Sequence, residues 1–237
     1  MVGQGRVLDT WVAGREELEE WADRHPVLDP TERRRAEAGG ERGRDARAGA
    51  TLLRLAVAAR TGQSPAEVDV RRRCATCAHT GHGRPRLSHG LAASTSHSGG
   101  LVAVAVADSS WVGIDIEQVR PVPVADLARV AFDARERDLV GEDTEAFLDV
   151  WAVKEALSKA SGSGILDGRL RQCAVRSVRP LRLHDLSGFG CASGRVLRLP
   201  LPDGYTGFVT AGPGVDWHHT AGLSSARTTR LVSPGSR

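Results

Sequence analysis

The apolar positions of this chain recur at helical spacing in some stretches and alternate in others. Leu18 and Trp21, three apart, mark a helix over Arg15 to Ala22 behind a short strand near Arg6–Leu8. Pro26 and Pro30 close that segment. Thr31 to Arg35 starts another helix, but Gly39, Gly40 and Gly43 weaken its continuation to Arg47, and an exposed basic segment is expected there. Thr51 to Arg60 is a core helix stopped by Gly62 and Pro65.

Further on, Ser94 to Gly100 is polar and reads as a turn into an apolar strand, Leu101–Ala107. Val112 to Glu117 alternates strictly, with Val112, Ile114 and Ile116 on one face and Gly113, Asp115 and Glu117 on the other. The short connection across Asp108-Ser109-Ser110 predicts that these strands pair as a hairpin. Val124 to Val140 is helical with a break at Phe132-Asp133. Glu145 to Ala160 carries apolar residues every three or four positions and ends at Gly162 and Gly164. Short strands are expected at Arg171–Val178, Leu181–Leu186, Gly194–Leu199, Tyr205–Ala211 and near Trp217–Ala221, before a tail of disordered composition from Ser224. Strands and helices in both halves predict an α+β fold.

Composition narrows the classes of function. At 237 residues the chain can bury a substantial core. The net charge of +3 suits an anionic ligand or an acidic partner without requiring nucleic acid. Nearly every basic residue is Arg, so Lys154 and Lys159, the only lysines, stand out. No signal peptide or membrane-length apolar run is present, and a cytoplasmic location is expected. Cys74, Cys77, His79 and His82 lie within nine residues and read either as structural zinc ligands or as unligated surface residues.

Two carboxylates on one strand face repel unless a proton, water or cation stands between them, so Asp115 and Glu117 suit a hard divalent metal; a solvated acidic face is the other reading. On the last helix Trp151, Glu155 and Lys159 share one stripe, and a carboxylate and an ammonium on an otherwise apolar stripe are what a surface-only helix would avoid.

Gly83-Arg84-Pro85, Ser96-His97-Ser98, Gly113-Ile114-Asp115-Ile116-Glu117 and Trp151-Ala152-Val153-Lys154-Glu155-Ala156-Leu157-Ser158-Lys159 form an ordered set. The set resembles the signature of the 4′-phosphopantetheinyl transferases of the surfactin-synthetase-activating type. The resemblance implies two similar α+β lobes in pseudo-twofold arrangement, here 1–110 and 111–223, with 224–237 as a tail. It also implies transfer of phosphopantetheine from coenzyme A to a serine of an acyl or peptidyl carrier protein by a monomer, without nucleic acid or membrane.

By motif position Asp115, Glu117 and Glu155 would hold Mg²⁺. Glu155 would also take the serine proton, and Lys159 would reach the phosphates. Arg33, Arg84, Ser96 and His97 would contact coenzyme A. Lys154 pairs with substrate or a neighbouring acid, or is a plain surface lysine, and Trp151 is expected in the core. The competing reading is a zinc-stabilised, Arg-rich nucleic-acid-binding module. With 4% aromatic residues, and none between Thr31 and Arg73, such a module lacks a stacking platform for bases.

Overall fold

The computed structural model describes residues 6–74, 77–78, 83–162, 175–178, 181–183 and 195–223. A six-stranded sheet runs in the order β11 (Val215–Ala221), β1 (Arg6–Gly14), β5 (Leu101–Ala107), β4 (Ala92–Ser98), β3 (Arg84–Leu87), β2 (Val70–Arg73). Neighbours are antiparallel except β1 and β11, which are parallel. A second sheet is formed by β6 (Val112–Gln118), β10 (Tyr205–Ala211) and β9 (Arg195–Arg198). A two-stranded piece joins β7 (Val175–Val178) to β8 (Leu181–Leu183). The α+β expectation holds, and each expected C-terminal strand is present over its described part. The tail 224–237 lies outside the described residues. Among those residues no helix is long and apolar enough to cross a membrane.

The sequence of β5, Leu-Val-Ala-Val-Ala-Val-Ala, explains the layering. Its valines 102, 104 and 106 pack with Trp11, Leu52 and Leu53 under α3 (Gly40–Thr61). Its alanines 103, 105 and 107 face Ile114, Ile116 and Val209 of the second sheet. Small side chains on that face let the two sheets approach closely, while the larger ones fill the helix side. On the far side of the second sheet, Phe208 joins Val150, Val153 and Leu157 of α6 (Thr144–Ser161). From one side to the other, the stack runs α3, first sheet, second sheet, α6.

Three expectations are corrected. Residues 30–61 form two helices, α2 (Pro30–Ala36) and α3, rather than a helix that weakens towards Arg47, although the stretch from Arg33 to Arg44 is largely exposed as expected. Gly39 and Gly40 supply the left-handed backbone of the turn, with φ of 73° and 58°. Gly43 lets α3 cross α2, since a Cβ there would sit 2.4 Å from the Ala36 carbonyl oxygen. Arg54 then locks the pair: Nε donates to Glu32 Oε2 at 2.7 Å, Nη1 to the Pro65 and Val68 carbonyls, and Nη2 to Asp29 Oδ2 at 3.3 Å. The glycines weaken the helix locally, but burial of this fully paired guanidinium and of the Leu52–Ala58 run outweighs that cost.

Second, Ala92–Ser98 is a strand, and only Gly99-Gly100 turns. Third, β5 does not pair with the strand that follows it; it lies between β1 and β4, while β6 pairs with β10.

Replacing Arg54 by Met removes one half of a buried ion pair and strands two carboxylates and two carbonyls. Urea unfolding of the R54M variant should show a loss of roughly 3–5 kcal/mol, and a loss under 1 kcal/mol would refute the locking role.

Candidate active site

The site begins at the edge of β6 that β10 leaves unpaired. The amides of Ile114, Ile116 and Gln118 point away from β10, and each meets a hydroxyl of β4: Ser94 Oγ at 3.2 Å, Ser96 Oγ at 3.3 Å and Ser98 Oγ at 3.0 Å. Alternation puts these three serines on one face of β4, and the same period of two brings every second β6 amide to meet them. Ser96 donates onward to Asp115 Oδ1 at 2.7 Å and Ser98 to Glu117 Oε2 at 2.9 Å.

The other wall is α6, capped at its start by Asp143, whose carboxylate accepts from the Glu145 and Ala146 amides. Gly113 sets its distance from β6: a Cβ there would fall 1.8 Å from the Ala156 carbonyl oxygen, so only glycine admits the helix. That approach brings Glu155 and Lys159 onto the acidic face. Lys159 Nζ donates to Asp115 Oδ1 at 2.6 Å and to the Ile114 carbonyl at 3.2 Å. Trp151 Nε1 donates to Glu117 Oε1 at 3.1 Å.

Buried carboxylates this close titrate abnormally. Glu155 is pushed up to about 7, first by burial and then by the Asp115 charge, with Lys159 opposing and Glu117 adding. Glu117 is also raised, by burial and then by Asp115, against the Ser98 hydroxyl, Lys159 and Trp151. Asp115 Oδ2 and Glu155 Oε1 are buried without a hydrogen-bond partner. Three carboxylates with two orphaned oxygens are hard donors of the kind a Mg²⁺ ion takes. Their present spacing does not enclose an ion: among the described residues no three His, Cys, Asp or Glu side chains form a ready metal-holding group. An ammonium already rests on Asp115.

Of the residues singled out in the sequence, Asp115, Glu117, Glu155, Lys159 and Ser96 come together here. Ser96 is buried and its hydroxyl is spent on Asp115 and the Ile116 amide, not turned out for a phosphate. His97 points from the other face of β4, half exposed, with Nδ1 3.3 Å from Asp45 Oδ2, and Asp45 also accepts from Arg15. Arg84 donates to the Ser110 carbonyl and to the Ala160 carbonyl at the end of α6. It lines a cavity of about 440 Å³ with Arg73, Arg86, Ser109 and Ser161. Arg33 stands apart on α2, exposed, with Nη1 on the Leu28 carbonyl.

Lys154 belongs elsewhere. It is fully buried, 2.7 Å from Glu136 Oε2 and over the Phe132 ring, and Glu136 Oε1 also accepts from the Val175 amide. It pairs with a neighbouring acid and is not a surface lysine. Trp151 packs against the helix core as expected, yet its indole N–H reaches the site. Cys74 is half-buried and Cys77 exposed, while His79 and His82 lie outside the described residues. The residues missed in the sequence are Ser94 and Ser98; their signal was the Ser-x-Ser-x-Ser alternation.

The raised Glu155 carboxyl makes a signed prediction. The unfolded chain releases this proton near the ordinary value of 4.5, whereas the folded chain keeps it to about 7, so stability falls as pH rises between the two and the loss is complete above 7. Without divalent metal, Glu155→Gln should therefore be more stable than the wild type at pH 8, by roughly 2–3 kcal/mol, and equal to it at pH 4.5. Denaturant titrations at both pH values check this; an equally stable variant at pH 8 would contradict the burial.

Part of the chain is similar to known proteins. Residues 111–191 match the model of the 4′-phosphopantetheinyl transferase superfamily. The chain is 39% identical over 95 residues to 4′-phosphopantetheinyl transferase psf-1 of Bacillus pumilus, covering 37% of this chain and 40% of that protein. It is 33% identical over 101 residues to 4′-phosphopantetheinyl transferase HetI of Nostoc sp., covering 40% and 43%. To 4′-phosphopantetheinyl transferase Sfp of Bacillus subtilis it is 35% identical over 74 residues, covering 30% and 33%. The chain thus spans less than half the length of each of these relatives. Residues 111–191, where β6 and α6 carry the carboxylates and Lys159, are thus similar to the 4′-phosphopantetheinyl transferase superfamily.

Proposed function

We propose that this chain transfers the 4′-phosphopantetheine group of coenzyme A to a serine hydroxyl of an acyl or peptidyl carrier protein, releasing adenosine 3′,5′-bisphosphate. The observation that carries this reading is the convergence of Asp115, Glu117, Glu155 and Lys159 across the contact that Gly113 permits. An acidic face this buried is not the solvated strand that the nucleic-acid-binding reading requires.

In this reading Asp115, Glu117 and Glu155 would hold Mg²⁺, whose chemistry would be neutralisation of charge on the coenzyme A pyrophosphate. Lys159 lies one turn beyond Glu155 with Nζ already on the acidic face, and so can shift between Asp115 and a phosphate oxygen. Glu155, buried and fixed on α6 beside Asp115, would accept the proton of the attacking serine directly or through water. The serine oxygen forms the new bond to phosphorus, the adenosine bisphosphate oxygen leaves, and the serine proton passes to Glu155.

His97, held at Nδ1 by Asp45, presents its other nitrogen outward to a phosphate. Arg84 and Arg33 offer further cationic contacts to coenzyme A, and Ser96 acts from behind Asp115. The organisation proposed is two related lobes, 1–110 and 111–223, each a sheet backed by a long helix, with β11 crossing back to the first sheet. The enzyme acts as a cytoplasmic monomer on an acidic carrier, whose charge its net +3 complements.

Incubation with coenzyme A, Mg²⁺ and a panel of apo carrier proteins should add the phosphopantetheine mass to at least one carrier. Asp115→Asn and Glu155→Gln should each lower the rate by at least about 100-fold while remaining folded. No modification across acyl and peptidyl carriers overturns the activity, and wild-type turnover in either variant overturns the residue roles.

A further inference from the structure

Each serine of the β4 row accepts a β6 amide, but only two of the three also touch a carboxylate. Ser96 donates to Asp115 and Ser98 to Glu117, whereas the carboxylates make no hydrogen bond with Ser94. Glu117 is thereby held at both oxygens, Oε2 by Ser98 and Oε1 by the Trp151 indole. Asp115 is held at Oδ1 by Ser96 and Lys159, which leaves Oδ2 buried and unspent.

We propose that Ser96 and Ser98 are positioning residues that fix the Asp115 and Glu117 carboxylates for a divalent cation, using hydroxyls already anchored by the amides of β6. This rests on the metal-dependent reading above. A hydroxyl that accepts one hydrogen bond from the backbone has its remaining proton directed, so the carboxylate it meets loses rotational freedom before any ligand arrives. The same two serines turn the docking of one sheet on the other into the aiming of two acids. Ser94 has the docking role alone and is a built-in control.

Mn²⁺ titration of the 237-residue chain, read by electron paramagnetic resonance with and without coenzyme A, tests this beside the melting temperature of each variant. Ser94→Ala and Ser98→Ala should lower the melting temperature alike, since each strands one β6 amide. Only Ser98→Ala should weaken Mn²⁺ binding, by about tenfold or more, and Ser98→Thr, which keeps the hydroxyl, should restore it. If Ser98→Ala does not fold, Ser98→Cys, a near-isostere with a weak donor, is read in the same way. A wild-type chain that binds no Mn²⁺ either with or without coenzyme A refutes the metal reading and the positioning role with it. A wild type that binds, with Ser98→Ala binding as tightly as Ser94→Ala, overturns the positioning role alone.

Discussion

The structure depends on how β6 satisfies its second edge. A strand buried between two layers cannot leave its amides unpaired, because each would forfeit a hydrogen bond in a dry interior. β10 serves one edge. The other runs against the face of β4, where no backbone partner exists, and three serine hydroxyls take that place. The sheets can therefore pack face to face without β6 joining the first sheet, and the acids of β6 are presented to α6 instead of being sealed under a neighbouring strand.

On that scaffold the charges oppose one another. Asp115, Glu117 and Glu155 gather on one side of β6 with one ammonium among them, and burial raises Glu155 to about 7. Two buried cations elsewhere are paired instead: Arg54 meets two carboxylates and two carbonyls, and Lys154 meets Glu136 beneath an aromatic ring. The contrast separates charges that hold the fold from charges available for chemistry.

What was legible in the sequence follows from periodicity. The alternation of Val112 to Glu117 and the helical spacing from Phe147 to Lys159 gave the two walls of the site, and the lysine count drew attention to Lys159. The partner of β6 was not legible, because sequence proximity favours a hairpin with β5 while the Ala face of β5 and the Ser face of β4 favour stacking. Ser94 to Ser98 looked like a turn because hydroxyl residues beside two glycines carry turn propensity, and their role as acceptors exists only once β6 lies across them. Spacing set Lys159 on the stripe of Glu155 and left Lys154 off it, without showing which group Lys154 would meet. The fate of each depended on which acid the fold brought near, Glu136 or Asp115.

The parallel pairing of β1 with β11 has a consequence for how the chain is made. Thr10 and His218, hydrogen-bonded side chain to backbone, are 208 positions apart, so during synthesis β1 emerges long before the strand that covers its outer edge. Until then the first sheet carries an open edge, which is a template for pairing with other chains. Closure of that edge is a late, high-contact-order event, and it couples completion of the first sheet to synthesis of the second, whose β10 ends only a few residues before β11 begins. A nascent chain stopped short of Val215 would hold the acidic strand and its helix in full while leaving β1 open to aggregation.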